Sequence, residues 1–332
     1  MLLKMIKGIH QSRSTISAFI MQDFKDDNLK ISGLKPNFIF TLFHLIALIS
    51  ILILNFTILT IYPSHLTYII SFLVNSVIFY HLAVSIHEAA HFTLIHPKKL
   101  NEVIGGIIST LIFMDLKNYR NHHMEHHRMY GLDIDPDYMN YNYDLKKYKN
   151  SIFKFMLYEC LGIFAFKRFI NKTLRLNKSK KSKNDEKNRI LAIISKLVLT
   201  HIIIIITLHK YSIWQYYFFF YLLPIITLST LFNRVRLLCE HGGFTYNNIT
   251  KSNQIEITRT HYSNSILFFL EKTLFSPFNF NFHFEHHLFP GVPRNYLKYI
   301  HQKISKRNIF EYLNHNFSES YLKTLDQIIK GK

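Results

Sequence analysis

Eight histidines fall into three short clusters whose spacing suits a metal site built on helices. His87-Glu88-Ala89-Ala90-His91 places two imidazoles at i and i+4, on one helical face. His123-Met124-Glu125-His126-His127 and His283-Phe284-Glu285-His286-His287 share the pattern His-x-Glu-His-His, where i, i+3 and i+4 again share a face. The chain has 332 residues and 20 histidines, so one such cluster is explained by composition; three are not. Imidazole suits zinc, copper, iron and nickel. Eight nitrogens exceed what one tetrahedral or octahedral ion takes, so two ions are the economical reading, in a nitrogen-rich centre of the di-iron kind. Glu88, Glu125 and Glu285 stand where each could accept an N–H from a neighbouring imidazole and fix its tautomer. Pairing with the many Lys and Arg residues is an equally good reading of each.

The elements that must carry these clusters are read from the apolar residues, 48% of the chain, with 30 Phe and 20 Tyr. Two regions, 37–86 and 190–232, contain no Asp or Glu, and each is split by a short break, at Pro63-Ser64-His65 and at Lys210-Tyr211. Each half is long enough, at about 1.5 Å per residue, to cross a ~30 Å hydrocarbon core. The reading is four transmembrane helices in two hairpins. Of 40 Lys and Arg, only Lys196 and Lys210 lie in the hairpins; 6 fall in residues 1–36, 19 in 87–189 and 13 in 233–332. The positive-inside rule then places both termini, the middle segment and all three clusters in the cytoplasm. Residues 1–36 read as a cytoplasmic segment with an interfacial amphipathic helix, and 167–189 as a solvated loop. Residues 87–189 carry the first two clusters, 233–332 the third.

The formal charge of +19 fits anionic lipid headgroups, and no nucleic-acid motif is present. Two cysteines, Cys160 and Cys239, make a disulfide framework implausible and suit a reducing compartment. The fold expected is therefore all-α and membrane-embedded, with four spanning helices under a cytoplasmic helical cap that gathers the clusters. In that cap, 103–114 reads as a re-entrant or interfacial stretch and about 295–313 as a closing C-terminal helix.

The sequences HEAAH, HMEHH and HFEHH resemble the three histidine boxes of the membrane fatty acid desaturase superfamily, which also holds alkane hydroxylases and carotenoid ketolases and hydroxylases. Tyr119-Arg120 before the second box, the DIDPDY run after it (Asp133, Asp135, Asp137) and Thr258-Arg259-Thr260 before the third agree with it. The stretch from Pro277 to Pro293 is similar to bacterial acyl desaturases, and the likeness covers about 38–297. It implies two non-haem irons held by His87, His91, His123, His126, His127, His283, His286 and His287. Cys239-Glu240-His241-Gly242-Gly243 looks like the Glu-His-x-Gly element that supplies a further iron-binding histidine in related hydroxylases, which adds His241. Glu88, Glu125, Glu240, Glu285 and Asp137 are the acids placed to support these ligands.

The activity implied is insertion of a double bond into a lipid acyl chain with O₂ and two electrons. No haem element, GxGxxG turn or cysteine set for an iron–sulfur cluster occurs in the chain. The electrons should therefore come from a separate ferredoxin or cytochrome b5-like carrier. The same ligands would serve a hydroxylase or ketolase acting on an alkane, carotenoid or lipid chain, which is the alternative. His87-Glu88-x-x-His91 also fits an HExxH zinc protease, which would leave the other two boxes without a purpose. A metal transporter would carry its ligands within the membrane helices.

Overall fold

Asn37 opens the first membrane-length helix by accepting the Phe40 N–H at 2.9 Å, which satisfies one of the free donors of a helix start. The structure, a computed structural model, describes residues 21–22, 33–138, 140–141, 152–164, 183–244, 257–306 and 316–330. The first hairpin is α1 (Phe38–Ile61) and α2 (His65–Ala90). Ser64 and Thr67 form a capping box at the start of α2, so the three-residue break reverses the chain and restarts a helix at once. The second hairpin begins with α6 (Lys183–Lys210), preceded in the cap by α3 (Lys98–Leu111), α4 (Leu116–Met129) and α5 (Ile152–Cys160). Its return leg is a π-helical turn, Tyr217–Leu222, then α7 (Leu223–Ile226) and α8 (Leu228–His241). Pro224, which has no N–H to give, sits where this leg departs from regular α geometry. Among the described residues, four helices are thus long and apolar enough to cross a membrane: Phe38–Ile61, His65–Ala90, Lys187–Lys210 and Tyr217–His241.

Two boundaries differ from the sequence reading. The third membrane helix starts at Lys183 rather than 190, so 183–189 belong to a helix and not to a loop. The fourth continues nine residues past Phe232, to His241. Hydropathy fails at Asn233-Arg234-Val235-Arg236, but the protein itself satisfies these charges: Arg234 lies 3.0 Å from the buried Glu159 of α5, and Arg236 lies 2.7 Å from Glu240. The interfacial helix expected in residues 1–36 lies outside the described residues, apart from 21–22 and 33–36.

Inside the apolar hairpins one buried polar cluster joins three segments. Asn55 Nδ2 donates to Asn75 Oδ1 at 2.7 Å, Ser71 Oγ donates to Asn55 Oδ1 at 2.8 Å, and Asn75 Nδ2 donates to the Phe220 carbonyl at 2.6 Å. That carbonyl belongs to the π-turn, where backbone bonding departs from the α pattern and side-chain donors are needed. Asn75→Ala removes two of these bonds and should lower stability by about 1–2 kcal/mol. A lower thermal midpoint of the detergent-solubilised protein, with bound metal unchanged at low temperature, is the expected result.

The cap stands at the end of the bundle where α2 and α8 finish. Among the described residues it contains α3, α4, α5, a two-residue parallel bridge of β1 (Thr260–His261) with β2 (Phe317–Ser318), and four further helices. These are α9 (Ile266–Phe275), α10 (His283–Leu288), α11 (Leu297–Ser305) and α12 (Tyr321–Lys330). The stretch expected as re-entrant is largely α3, a helix lying against α2. A Cβ at Gly105 would come within 2.6 Å of the Ala89 side chain, so this crossing needs a glycine. The closing helix is α11 after a 3₁₀ turn at Arg294–Tyr296, and 307–313 are outside the described residues. The last described helix is α12, which the sequence reading did not anticipate. α9 is pinned to α2 by Tyr80, whose hydroxyl donates to the Phe275 carbonyl, and by His81, 2.8 Å from the Thr273 carbonyl.

Candidate metal centre

Helix ends bring the boxes together. α2 carries His87 in its last turn and His91 caps it. Its terminal carbonyls are met by the cap: Arg120 Nε and Nη2 donate to the Ala90 and Ala89 carbonyls at 2.9 and 3.0 Å, and Asn101 Nδ2 to Ala89 at 2.9 Å. A helix end without water needs such donors, and here they lock α4, which bears the second box, against the first. α8 ends at His241, where Gly242 and the left-handed Gly243 (φ 77°) turn the chain away. The third box is α10, fixed to β1 by reciprocal bonds between His261 and Asn281.

Nine imidazoles converge in two groups. His87, His91, His123, His127 and His286 each offer a nitrogen within 4.8 Å of every other, and so do His126, His241 and His287. His283 joins the second group through its Nε2, 2.8 Å from His241 Nε2. The groups touch where the His127 and His287 rings lie 4.2 Å apart. Both open on one cavity of about 160 Å³, lined also by Met114, Tyr119, Asp137, Arg236 and Leu237.

These residues fit metal ions. In the first group Nε2 atoms face one another: His91 to His123 at 2.8 Å, His123 to His127 at 3.0 Å and His127 to His286 at 3.2 Å. The Nε2 atoms of His123 and His127 each stand in two of these contacts, and a ring nitrogen with one proton or one lone pair serves only one, whereas a metal–nitrogen bond near 2.1 Å sets ligands at a right angle about 3 Å apart. His87 Nε2 and both ring nitrogens of His287 are buried without hydrogen-bond partners, a costly state unless something else binds them. Burial, reinforced by neighbouring imidazoles, holds His123, His127, His286 and His287 well below the usual histidine pKa, and His91 down to about 3. The rings are therefore neutral near pH 7, the form that ligates without first losing a proton.

His126 goes the other way. Burial alone would lower its pKa, but the Asp135 carboxylate outweighs that and raises it. Asp135 is buried, lies 3.0 and 3.1 Å from His126 Nδ1, and also accepts from the Tyr141 hydroxyl and the Asp137 N–H. This bond holds the proton on Nδ1 and leaves Nε2 for the cluster.

Asp135 is thus the acid bonded to the second box, at His126. Asp137 is placed instead on His122, at 3.1 Å, and on Asn140. Glu125 turns outward to the exposed Arg128, and Glu285 meets His301 at 2.6 Å and Thr260 rather than a box imidazole. Glu88 lies 3.3 Å from His87 Nδ1 and accepts from Thr93. Glu240 accepts from Arg236 at 2.7 Å and Tyr321 at 3.1 Å, and lies 3.4 Å from His283 Nδ1. Tyr141 and Tyr321 carry no signal in the sequence, since neither lies in a motif.

Helical membrane hairpins whose ends gather nine imidazoles into two close groups define the architecture of a membrane protein with a site fit for metal ions. The family described as Fatty acid desaturase matches residues 37–319, and the chain belongs to it. No curated protein matches the chain. Membership implies a membrane oxidoreductase of the desaturase and hydroxylase type, generally a metalloenzyme.

Proposed function

We propose that this protein desaturates a lipid acyl chain. The observation that carries the reading is the pair of convergent imidazole groups opening on one cavity beside the membrane helices. His87, His91, His123, His127 and His286 would hold one iron, and His126, His241, His283 and His287 a second. When bound, iron supplies the reduction of O₂ and the removal of hydrogen from an unactivated methylene, which side chains alone do not perform. The overall change balances as a –CH₂–CH₂– unit, O₂, two electrons and two protons giving –CH=CH– and two waters.

The chain's own residues do the rest. Met114 lines the cavity and also packs against the apolar cluster of the membrane helices, so an acyl chain sliding along it would present a methylene to both groups. The close interlocking of α2, α4 and α10 excludes bulk water from the imidazoles, eight of the nine being at most 6% exposed. The choice of desaturation over hydroxylation rests on the Asn-Phe-His-Phe-Glu-His-His-Leu-Phe-Pro flank. The basic surplus outside the hairpins supports a cytoplasmic face for the boxes and both termini. A separate carrier would deliver electrons to that face.

Total-lipid mass spectrometry of a heterologous host tests this directly. Acyl species short of two hydrogens, absent from the His287→Ala control, are expected. Species carrying one added oxygen would move the protein to the hydroxylases, and an unaltered profile alongside a zinc-loaded protein would end the di-iron reading.

A further inference from the structure

We infer that α12 is part of the metal centre: Tyr321 is a positioning residue that holds Glu240 against the second imidazole group, so this helix governs one metal site and not the other. The inference rests on the two-ion reading above. Tyr321 lies two residues past the end of the family match at 319, yet it is fully buried and tied down on every side. Its N–H donates to Glu271 Oε2 at 2.8 Å, its carbonyl accepts from Cys239 Sγ at 3.4 Å, and its ring stacks on His261 at 3.9 Å. His261 is held in turn by Thr324, one helical turn further on, at 3.0 Å.

So fixed, the Tyr321 hydroxyl donates to Glu240 Oε1 at 3.1 Å. The other carboxylate oxygen takes Arg236 at 2.7 Å and faces His283 Nδ1 at 3.4 Å. His283 Nε2 then meets His241 Nε2 at 2.8 Å, and His241 follows Glu240 directly on α8. The same helix packs against the turn that follows His241: a Cβ on Gly243 would fall 2.8 Å from Ile328 Cγ1. The first group is supported elsewhere. Among the described residues, the bonds around it run to Glu88, Thr93, Asn101 and Arg120, all on or near α2, α3 and α4. Loss of the phenol therefore leaves Glu240 Oε1 without its donor and the carboxylate held by Arg236 alone, so that its hold on His283 loosens while the bonds around the five-imidazole group stay in place.

The test is Co(II) titration of the metal-stripped, full-length protein in detergent, followed by chelator competition. Wild type should show two binding events. Tyr321→Phe keeps the stacked ring and should weaken one event by about tenfold, the usual scale for losing a partner behind a ligand, with the other unchanged. Glu240→Gln should weaken the same event, and a matching thermal midpoint for both variants excludes unfolding as the cause. Two unaltered events in Tyr321→Phe, or equal weakening of both, would overturn the inference while leaving the two-ion reading in place. A wild type that takes up fewer than two ions would overturn that reading and the inference together.

Discussion

His287→Ala should lose product formation entirely and bind less iron, while reaching the membrane and folding as wild type does. The expectation comes from how little else His287 does. Its imidazole is fully buried, neither ring nitrogen has a hydrogen-bond partner, and its ring is wedged among His127, Tyr130 and His241. Removing it takes away no bond that the fold uses, only packing and a nitrogen aimed at the second group. Losing a direct ligand should exceed the roughly 10–100-fold that loss of an outer hydrogen-bond partner costs a metal site. Lipid mass spectrometry together with iron content of the purified variant checks both halves. Product at the wild-type rate from His287→Ala would remove His287 from the centre and sink the two-iron reading. His126→Ala makes the same case from the second box.

The site was legible in the sequence where chemistry follows local period. His123, His126 and His127 share a face because i, i+3 and i+4 do, and the structure puts all three into the two groups. The same phase argues against two acids that stand inside the boxes. Glu125 is two residues from His123, about 200° around the helix, and it points outward to Arg128. Glu285 bears the same relation to His283 and meets Thr260 and His301 behind α10. Asp135 sits in a turn, where no period says which of three acids faces inward, and only the fold selects it. The end of α8 was hidden for another reason. Arg234 and Arg236 look like the edge of a membrane run until Glu159 and Glu240 are seen to pair with them. α12 has its own buried stripe of Tyr321, Thr324, Leu325 and Ile328, but its purpose depends on Glu240, some 80 residues away in sequence.

These misses share a cause with the second large prediction. Ligands announce themselves because several must lie close on one element; the groups that orient them need only one contact and can come from anywhere. Asp135→Asn tests the strongest of these. The substitution keeps size and shape, so the turn should hold, but the amide cannot offer two accepting oxygens to His126, Tyr141 and the Asp137 N–H at once. One of its polar atoms becomes a donor facing a donor, a mismatch that is costly when buried. The carboxylate that favours a proton on His126 Nδ1 is also gone, so the ring is free to turn or to change tautomer. The expected result is a loss of about 10–100-fold in affinity for one metal ion and a comparable fall in turnover, with membrane insertion as in wild type and the thermal midpoint lowered only by the few degrees that a mismatch of about 1–3 kcal/mol costs. Asp137→Asn, which leaves the His126–Asp135 bond intact, should retain wild-type metal content. If instead Asp137→Asn loses metal and Asp135→Asn does not, the orientation assigned to His126 is wrong, and the second group must be assembled through a different acid.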